Sequence, residues 1–229
     1  MRTTALLLAG GCGKRMGAKI PKQNIKLENK ALFEITAERF NLFSCIDDII
    51  FVGNKIFLDK YYEKLKKLKK IKGVLPGGKE RSDSVFAGLL FCTGNPPDFV
   101  VIHDVVRPFV SEESVEKSIN AAALTGASAV ALPSVDTIYE VENGMLVSVP
   151  ERSRMYNVQT PQTFSFSKIM DIHKKFRRNG GKTTDDASLA HRFGIQVTIV
   201  GGNSENIKIT SPSDISLAAA IYKRLSEVK

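Results

Sequence analysis

The chain is expected to fold as an α/β protein, a mostly parallel sheet with helices on both faces, on two grounds. Apolar, β-branched runs at Thr4–Ala9, Ile49–Val52, Val100–His103, Ala127–Leu132 and Val197–Val200 alternate with helical spacing at Ala31–Phe43, Arg81–Phe91, Glu112–Leu124 and Phe166–Arg177, the pattern of strands joined by crossover helices. The first strand empties directly into the small-residue turn "AGGCGKRMG", Ala9–Gly17. One region breaks the alternation: "TIYEVENGMLVSV", Thr137–Val149, has two β-rich runs around Asn143-Gly144, the pair best suited to a type I′ hairpin turn.

Each strand run is four to seven residues of mostly Val, Ile, Leu and Ala, short enough to be a buried strand and bounded by turn-forming residues. The last helix is announced by Ser211 as a cap, Pro212 at the first helical position, Asp214 near the positive end and the periodic run "ISLAAAIYKRL". An isolated hairpin is marginal in water. The Thr137–Val149 segment therefore either extends the sheet or forms an arm that a second subunit covers.

Composition excludes several classes. Hydrophobic residues make up 43% and charged residues 25% of 229, without Trp, which describes an ordinary globular protein. A chain this long buries roughly 70% of its unfolded surface and needs no staples. No apolar run approaches the roughly 20 residues of a membrane span, and the apolar part of "MRTTALLLAGG" is short for a secretory signal, so the cytoplasm is the expected address. Cys12, Cys45 and Cys92 form an odd set without CxxC spacing, which predicts reduced, buried thiols rather than disulfides or zinc. His173 and His191 stand alone, without ligand spacing.

The net charge of +9 raises a nucleic-acid reading, but Lys60–Lys72, "KYYEKLKKLKKIK", carries +6 of it. Leu58, Tyr61, Leu65, Leu68 and Ile71 recur at helical spacing, which predicts an apolar stripe with lysines on the wet side. A solvated helix face is preferred to a nucleic-acid-binding module. No membrane partner is expected either.

In an open α/β sheet, ligands collect at the carboxyl ends of strands. Two features fall there. The loop after the first strand holds Gly10, Gly11, Gly13, Lys14, Arg15 and Gly17, with Lys22 following in "PKQ". Small residues permit close backbone approach and amide donors can face anions. The P-loop pattern fails because Arg15 follows Lys14, and the dinucleotide pattern fails at Met16, which disfavours a dehydrogenase. A polyphosphate site is the preferred reading, a tight turn with surface cations the alternative. The second feature is "VVIHDVVRPF", whose Asp104 ends a strand at the same edge, where a Mg²⁺ bridging nucleotide phosphates needs a carboxylate. Asp104 as a turn cap is the alternative. His103 reads as a packed histidine, and "TTDDASL" as a helix start capped by Thr184 or Asp185.

Together these residues resemble the 2-C-methyl-D-erythritol 4-phosphate cytidylyltransferases of the non-mevalonate isoprenoid pathway, with the ribitol-5-phosphate cytidylyltransferases as close relatives. "LAGGCGKRMG", "PKQ", "GGKERSDSV", "HDVVRP", "DTI", "QTPQTF", "TTDDASL" and "NIKIT" fall in the family's order and spacing. The resemblance implies a Rossmann-like nucleotidyltransferase fold, one domain over 1–229 with a β-hairpin dimerisation arm inserted at about 137–157. It implies that Ala9, Gly10, Gly11 and Gly13 wrap CTP, with Gly78 and Ser84 at the base. Arg15 and Lys22 would stabilise charge on the reacting phosphate, and Asp104 would hold Mg²⁺. Arg107, Arg152, Thr137, Thr160, Thr184 and Lys208 would grip the polyol phosphate acceptor, some from the other subunit of a homodimer. The reaction implied is CMP transfer from CTP, with 2-C-methyl-D-erythritol 4-phosphate as acceptor and ribitol 5-phosphate as the alternative. Gly10, Lys79 and Val105-Val106 depart from the commoner pattern. Gly10 and "VRPF" lean toward the ribitol enzymes and "TTDDASL" toward the isoprenoid ones.

Overall fold

The computed structural model describes residues 1–10 and 21–227. The chain runs β1 Thr3–Ala9, a short hairpin β2 Lys26–Leu27 and β3 Lys30–Ala31, α1 Leu32–Leu42, β4 Asp48–Gly53, α2 Lys55–Leu65, β5 Ile71–Pro76 and α3 Arg81–Cys92. It continues through β6 Phe99–Asp104, α4 Glu112–Thr125, β7 Ala127–Pro133, β8 Glu140–Glu142, β9 Met145–Ser148 and β10 Tyr156–Ser165. It closes with α5 Phe166–Asn179, α6 Asp186–Arg192, β11 Thr198–Gly201 and α7 Pro212–Glu227. Among the described residues the main sheet has the order β11-β7-β10-β6-β1-β4-β5. Every pairing is parallel except those of β10, which runs antiparallel between β6 and β7.

The sheet is buried on both faces, so its strands read as continuous apolar runs and the period of two appears only in the packing. Leu6 and Leu8 of β1 join the core formed with α3, α5 and α6, through Val85, Leu89, Ile169 and Leu189. Ala5, Leu7 and Ala9 face the opposite core, with Phe33, Phe40, Phe57, Val115 and Ile119 of α1, α2 and α4. A third cluster seats α7 through Ala218 and Ile221 on Leu27, Leu32, Ile35 and Ile209. The carbonyl edge of the sheet is thereby fixed from both sides.

The expected lysine helix is shorter than its periodicity suggests. α2 stops at Leu65, and Ile71 opens strand β5, where it pairs with Ile49 of β4. Leu68 and Ile71 still pack on the core, but from a turn and a strand. Strand pairing outweighed helical spacing because an edge of β4 was available to satisfy the backbone. Lys64 pairs with Glu34 at 2.8 Å and Lys70 donates to the Phe43 carbonyl at 2.5 Å. The lysines are therefore spread over a helix, a turn and a strand rather than along one helical face.

The hairpin forms as expected, with Asn143 and Gly144 at φ values of 52° and 80°, positive at both central positions as a type I′ turn requires. Among the described residues β8 and β9 pair only with each other, outside the main sheet. Val141, Met145, Leu146, Val147 and Val149 are all exposed, Met145 by 73%. The structure thus excludes the sheet-extension alternative for these strands.

Candidate active site

The sheet order turns back at β1: the chain crosses from β1 to β4 and β5 on one side and reaches β6 on the other. That reversal is the switch point at which open α/β sheets leave a crevice. A cavity of about 350 Å³ opens there, within the size range of ligand pockets. Ala9, Gly10, Lys22, Gly78, Ser84, Asp104 and Lys208 all line it, together with Arg81. Residues predicted from five separate motifs therefore meet in one place. Gly11, Gly13 and Arg15 lie outside the described residues.

The base of the cavity is a turn sized by glycine. Gly77 donates to the Gly53 carbonyl at 2.7 Å, and Gly78 donates to Ser84 Oγ at 3.2 Å. A Cβ on Gly78 would stand 2.2 Å from the Asp83 Cβ, at the start of α3. Overpacking of this kind costs about 1–3 kcal/mol. Gly78→Ala is expected to push the turn off α3 and lower the melting temperature, measurable by a thermal melt. Gly10 is different: an added Cβ would meet Ser84 Oγ at 3.6 Å, an ordinary contact. Among the described residues nothing bars the alanine that the resemblance puts at this position.

Asp104 sits at the end of β6 beside Leu8 of β1. Its backbone N–H donates to Thr160 Oγ1 at 3.2 Å, and that hydroxyl donates to His103 Nδ1 at 3.0 Å. His103 Nε2–H in turn donates to the Arg107 carbonyl at 3.0 Å. These partners fix the neutral tautomer, and burial pushes the His103 pKa down to about 4. His103 is structural, as expected. Thr160 is buried with its hydroxyl committed to this chain, so here it holds the backbone of Asp104.

The Asp104 carboxylate is bracketed by cations, Lys208 Nζ at 2.6 Å from Oδ2 and Arg81 Nε at 3.3 Å from Oδ1. Burial alone would raise its pKa, but Arg81 and Lys208 outweigh that and hold it well below the usual carboxylate range. It is an ionised acceptor at any working pH. Lys208 reaches it because its segment is pinned: Asn206 Nδ2 donates to the Thr160 carbonyl at 2.8 Å and Ile209 N–H to the Val106 carbonyl at 3.0 Å. The next carbonyl but one, of Thr210, accepts from Lys22 Nζ at 2.9 Å. Lys22 itself is buried in a 3₁₀ turn, Lys22–Asn24, that follows Pro21.

The other predicted acceptor residues lie away from this cavity. Arg107 donates through Nη1 to the Asn206 carbonyl at 2.8 Å and through Nη2 to the Val158 carbonyl at 3.4 Å. Thr137 and Arg152 are exposed at the two ends of the hairpin, Arg152 in a 3₁₀ turn, Arg152–Arg154. Thr184 is exposed just before α6, whose cap is Asp185, accepting from Ser188 N–H at 2.7 Å. Arg81 was missed by sequence reasoning. A single Arg at a helix start has no local signature, and its partners Asp104 and Asp186 are distant in sequence.

Mg²⁺ is held in proteins through one or two carboxylates completed by substrate phosphates. Asp104, ionised and facing a cavity with cations at its rim, meets that requirement on this chain's side. Glu80 is a further carboxylate residue lining the cavity.

A doubly wound sheet with a cationic cavity at its switch point defines a nucleotide-handling α/β protein. The model of the family described as IspD, 2-C-methyl-D-erythritol 4-phosphate cytidylyltransferase, matches residues 3–224. Relatives of that name include the protein of Petrotoga mobilis, 38% identical over 96% of this chain and 97% of its own length. That of Thermosipho africanus is 41% identical over 93% and 94%. Among solved structures, the 4-diphosphocytidyl-2C-methyl-D-erythritol synthase of Anaerococcus prevotii superposes with a TM-score of 0.85 at 34% identity, covering 97% of this chain and 96% of that one. The Francisella tularensis cytidylyltransferase does so with 0.81 at 28%, covering 95% and 98%. This chain belongs to the 2-C-methyl-D-erythritol 4-phosphate cytidylyltransferase family.

Proposed function

We propose that this chain transfers CMP from CTP to 2-C-methyl-D-erythritol 4-phosphate and releases pyrophosphate, working in the cytoplasm as a Mg²⁺-dependent homodimer. The observation that carries the reading is the convergence of Lys22, Lys208 and the ionised Asp104 on one nucleotide-sized cavity. An oxygen of the acceptor phosphate attacks the α-phosphorus of CTP, and the bond from that phosphorus to the bridging oxygen breaks as pyrophosphate departs. Two anions must approach, so charge stabilisation and positioning dominate the barrier. The Gly77–Gly78 turn would seat the base, Lys22 would face the charge that builds on the reacting phosphate, and Lys208 would steer the acceptor. Mg²⁺ held by Asp104 would supply Lewis-acid neutralisation of the phosphate oxygens.

The attacking phosphate is already ionised near neutral pH, so no general base is required. Among the described residues the side chains agree with that. His103 is locked, and burial pushes the Cys45 and Cys92 thiols up to about 11, which leaves both protonated. The relatives above are named for the erythritol acceptor, which supports it over ribitol 5-phosphate. Pyrophosphate release with CTP and Mg²⁺ is expected with the erythritol phosphate and at least tenfold slower with ribitol 5-phosphate. Silence with both would overturn the assignment.

The exposed apolar side chains of the hairpin support the dimer, because apolar groups left uncovered on an element that is marginal alone call for a partner surface. We infer that the arm, about 137–157, crosses to a second copy and delivers Arg152, whose fork of donors suits a phosphate dianion. Arg152→Ala is expected to lose acceptor binding while retaining CTP. Mixing it with Lys22→Ala chains should restore activity, since a heterodimer assembles one site with both cations intact. Failure despite proven subunit exchange would place Arg152 in its own chain's site.

A further inference from the structure

Behind Asp104 lies a buried charged network that the reaction as written does not use. Arg81, the first residue of α3, bridges two carboxylates: its Nε stands 3.3 Å from Asp104 Oδ1, and its Nη1 stands 2.5 Å from Asp186 Oδ2. Asp186 opens α6, is fully buried, and receives His173 Nε2–H on its other oxygen at 3.0 Å. The backbone N–H groups of Asp186 and Ala187 both donate to Gln162 Oε1 at 3.0 Å. Gln162 sits on β10 opposite Ile102, two residues before Asp104 on β6. The ring of Phe86 stacks on His173 at 6.4 Å between centroids. The anchor is thus tied by Gln162 to β10, the strand beside the one that ends in Asp104.

Burying such a network costs more desolvation than a hydrophobic replacement would, and buried ion pairs contribute little net stability. Geometry is the better account of it. The contact to Asp186 is the shorter, and Asp186 is fully buried and held independently of Arg81 by His173 and, through its backbone, by Gln162, whereas the contact to Asp104 is longer and opens on the cavity. Asp186 therefore holds Arg81, and Arg81 sets the direction of Asp104.

We propose that Arg81, anchored by Asp186 and His173, is a positioning residue that orients Asp104 for the metal–nucleotide complex. This rests on the reading of Asp104 as the metal carboxylate. In metal sites, partners that orient a ligand are worth about 10–100-fold in affinity. Arg81→Lys keeps the charge but not the fork that spans two carboxylates. Asp186→Asn keeps the shape but leaves Arg81 to collapse onto Asp104.

The test uses the full-length enzyme with Mn²⁺ and CTP, reading free Mn²⁺ by electron paramagnetic resonance, alongside the Mg²⁺ midpoint for pyrophosphate release. Both variants are expected to weaken Mn²⁺–CTP binding and raise the Mg²⁺ midpoint by about tenfold, a loss that excess Mg²⁺ partly restores. A merely structural role would lower the melting temperature or the active fraction and leave the midpoint in place. Wild-type midpoints in folded variants would overturn the proposal. Should Asp186→Asn fail to fold, Arg81→Lys, altered on the cavity wall, decides alone. Asp104→Asn separates the two ideas. A wild-type metal response there defeats the metal reading of Asp104, whereas a large shift there with none at Arg81 or Asp186 defeats only the positioning role.

Discussion

Replacing Asp104 with asparagine is expected to lower kcat/KM by about 10²–10³-fold, the scale seen when one preorganised charge-stabilising group is removed, and to raise the Mg²⁺ requirement. Asparagine has the same size, and the backbone donation to Thr160 Oγ1 at 3.2 Å does not involve the side chain, so β6 should hold its place. The carboxylate's charge is what disappears. Arg81 and Lys208 would then face each other across the cavity without the anion that neutralises both. Steady-state kinetics across a Mg²⁺ series, with a thermal melt to confirm folding, checks this. Wild-type kcat/KM at ordinary Mg²⁺ would leave Asp104 as a cap for its turn.

The same substitution changes the acid limb of stability. Asp104 and Asp186 are both held below the ordinary carboxylate range, where burial is outweighed by Arg81 with Lys208 and by Arg81 with His173 respectively. A depressed folded pKa stabilises above the unfolded value, about 3.9 for Asp, and that contribution is lost as pH falls through the folded value. The melting temperature of Asp104→Asn should therefore fall less steeply than that of the wild type below about pH 4.

Lys22→Ala is expected to reduce kcat by about 10²-fold or more, with a smaller change in CTP affinity. The ammonium is buried in the cavity wall and held toward the Thr210 carbonyl at 2.9 Å. A cation fixed in a low-dielectric site interacts more strongly with charge that grows during reaction than a mobile one in water does. Single-turnover kinetics separates this from binding, because a transition-state contact moves kcat while a ground-state contact moves KM. An effect confined to KM would reassign Lys22 to CTP binding. The variant also loses the tie between the Lys22–Asn24 turn and the segment before α7, so a melt belongs with the kinetics.

Much of this was legible before any coordinates. Five strands and four helices fall where their apolar runs and helical spacing put them, within a few residues at each end, because both faces of the sheet are buried and periodicity reports burial. The type I′ turn at Asn143-Gly144 is local chemistry and was readable as such. Two strands of the main sheet were not. β5, Ile71–Pro76, is an edge strand whose lysine and glycine blur its alternation, and Ile71 also satisfies a helical stripe. β10, "YNVQTPQTFS", carries Pro161 and reads as polar, although it lies between β6 and β7. Its proline falls where the register shifts between Val158 and Gln162, where the ladder asks for no donor.

What the sequence determined by itself was everything that depends on neighbours in the chain: the alternation, the caps, the hairpin turn, and eight motifs whose order and spacing point to one family. What only the tertiary structure decided was which charges meet. Lys208 stands 104 positions from Asp104, and Asp186 stands 105 from Arg81. No spacing rule connects them. An ion pair is a matter of distance and dielectric, and both are set only when the sheet has brought β6, α3, α6 and the segment before α7 to one edge and removed the water between them.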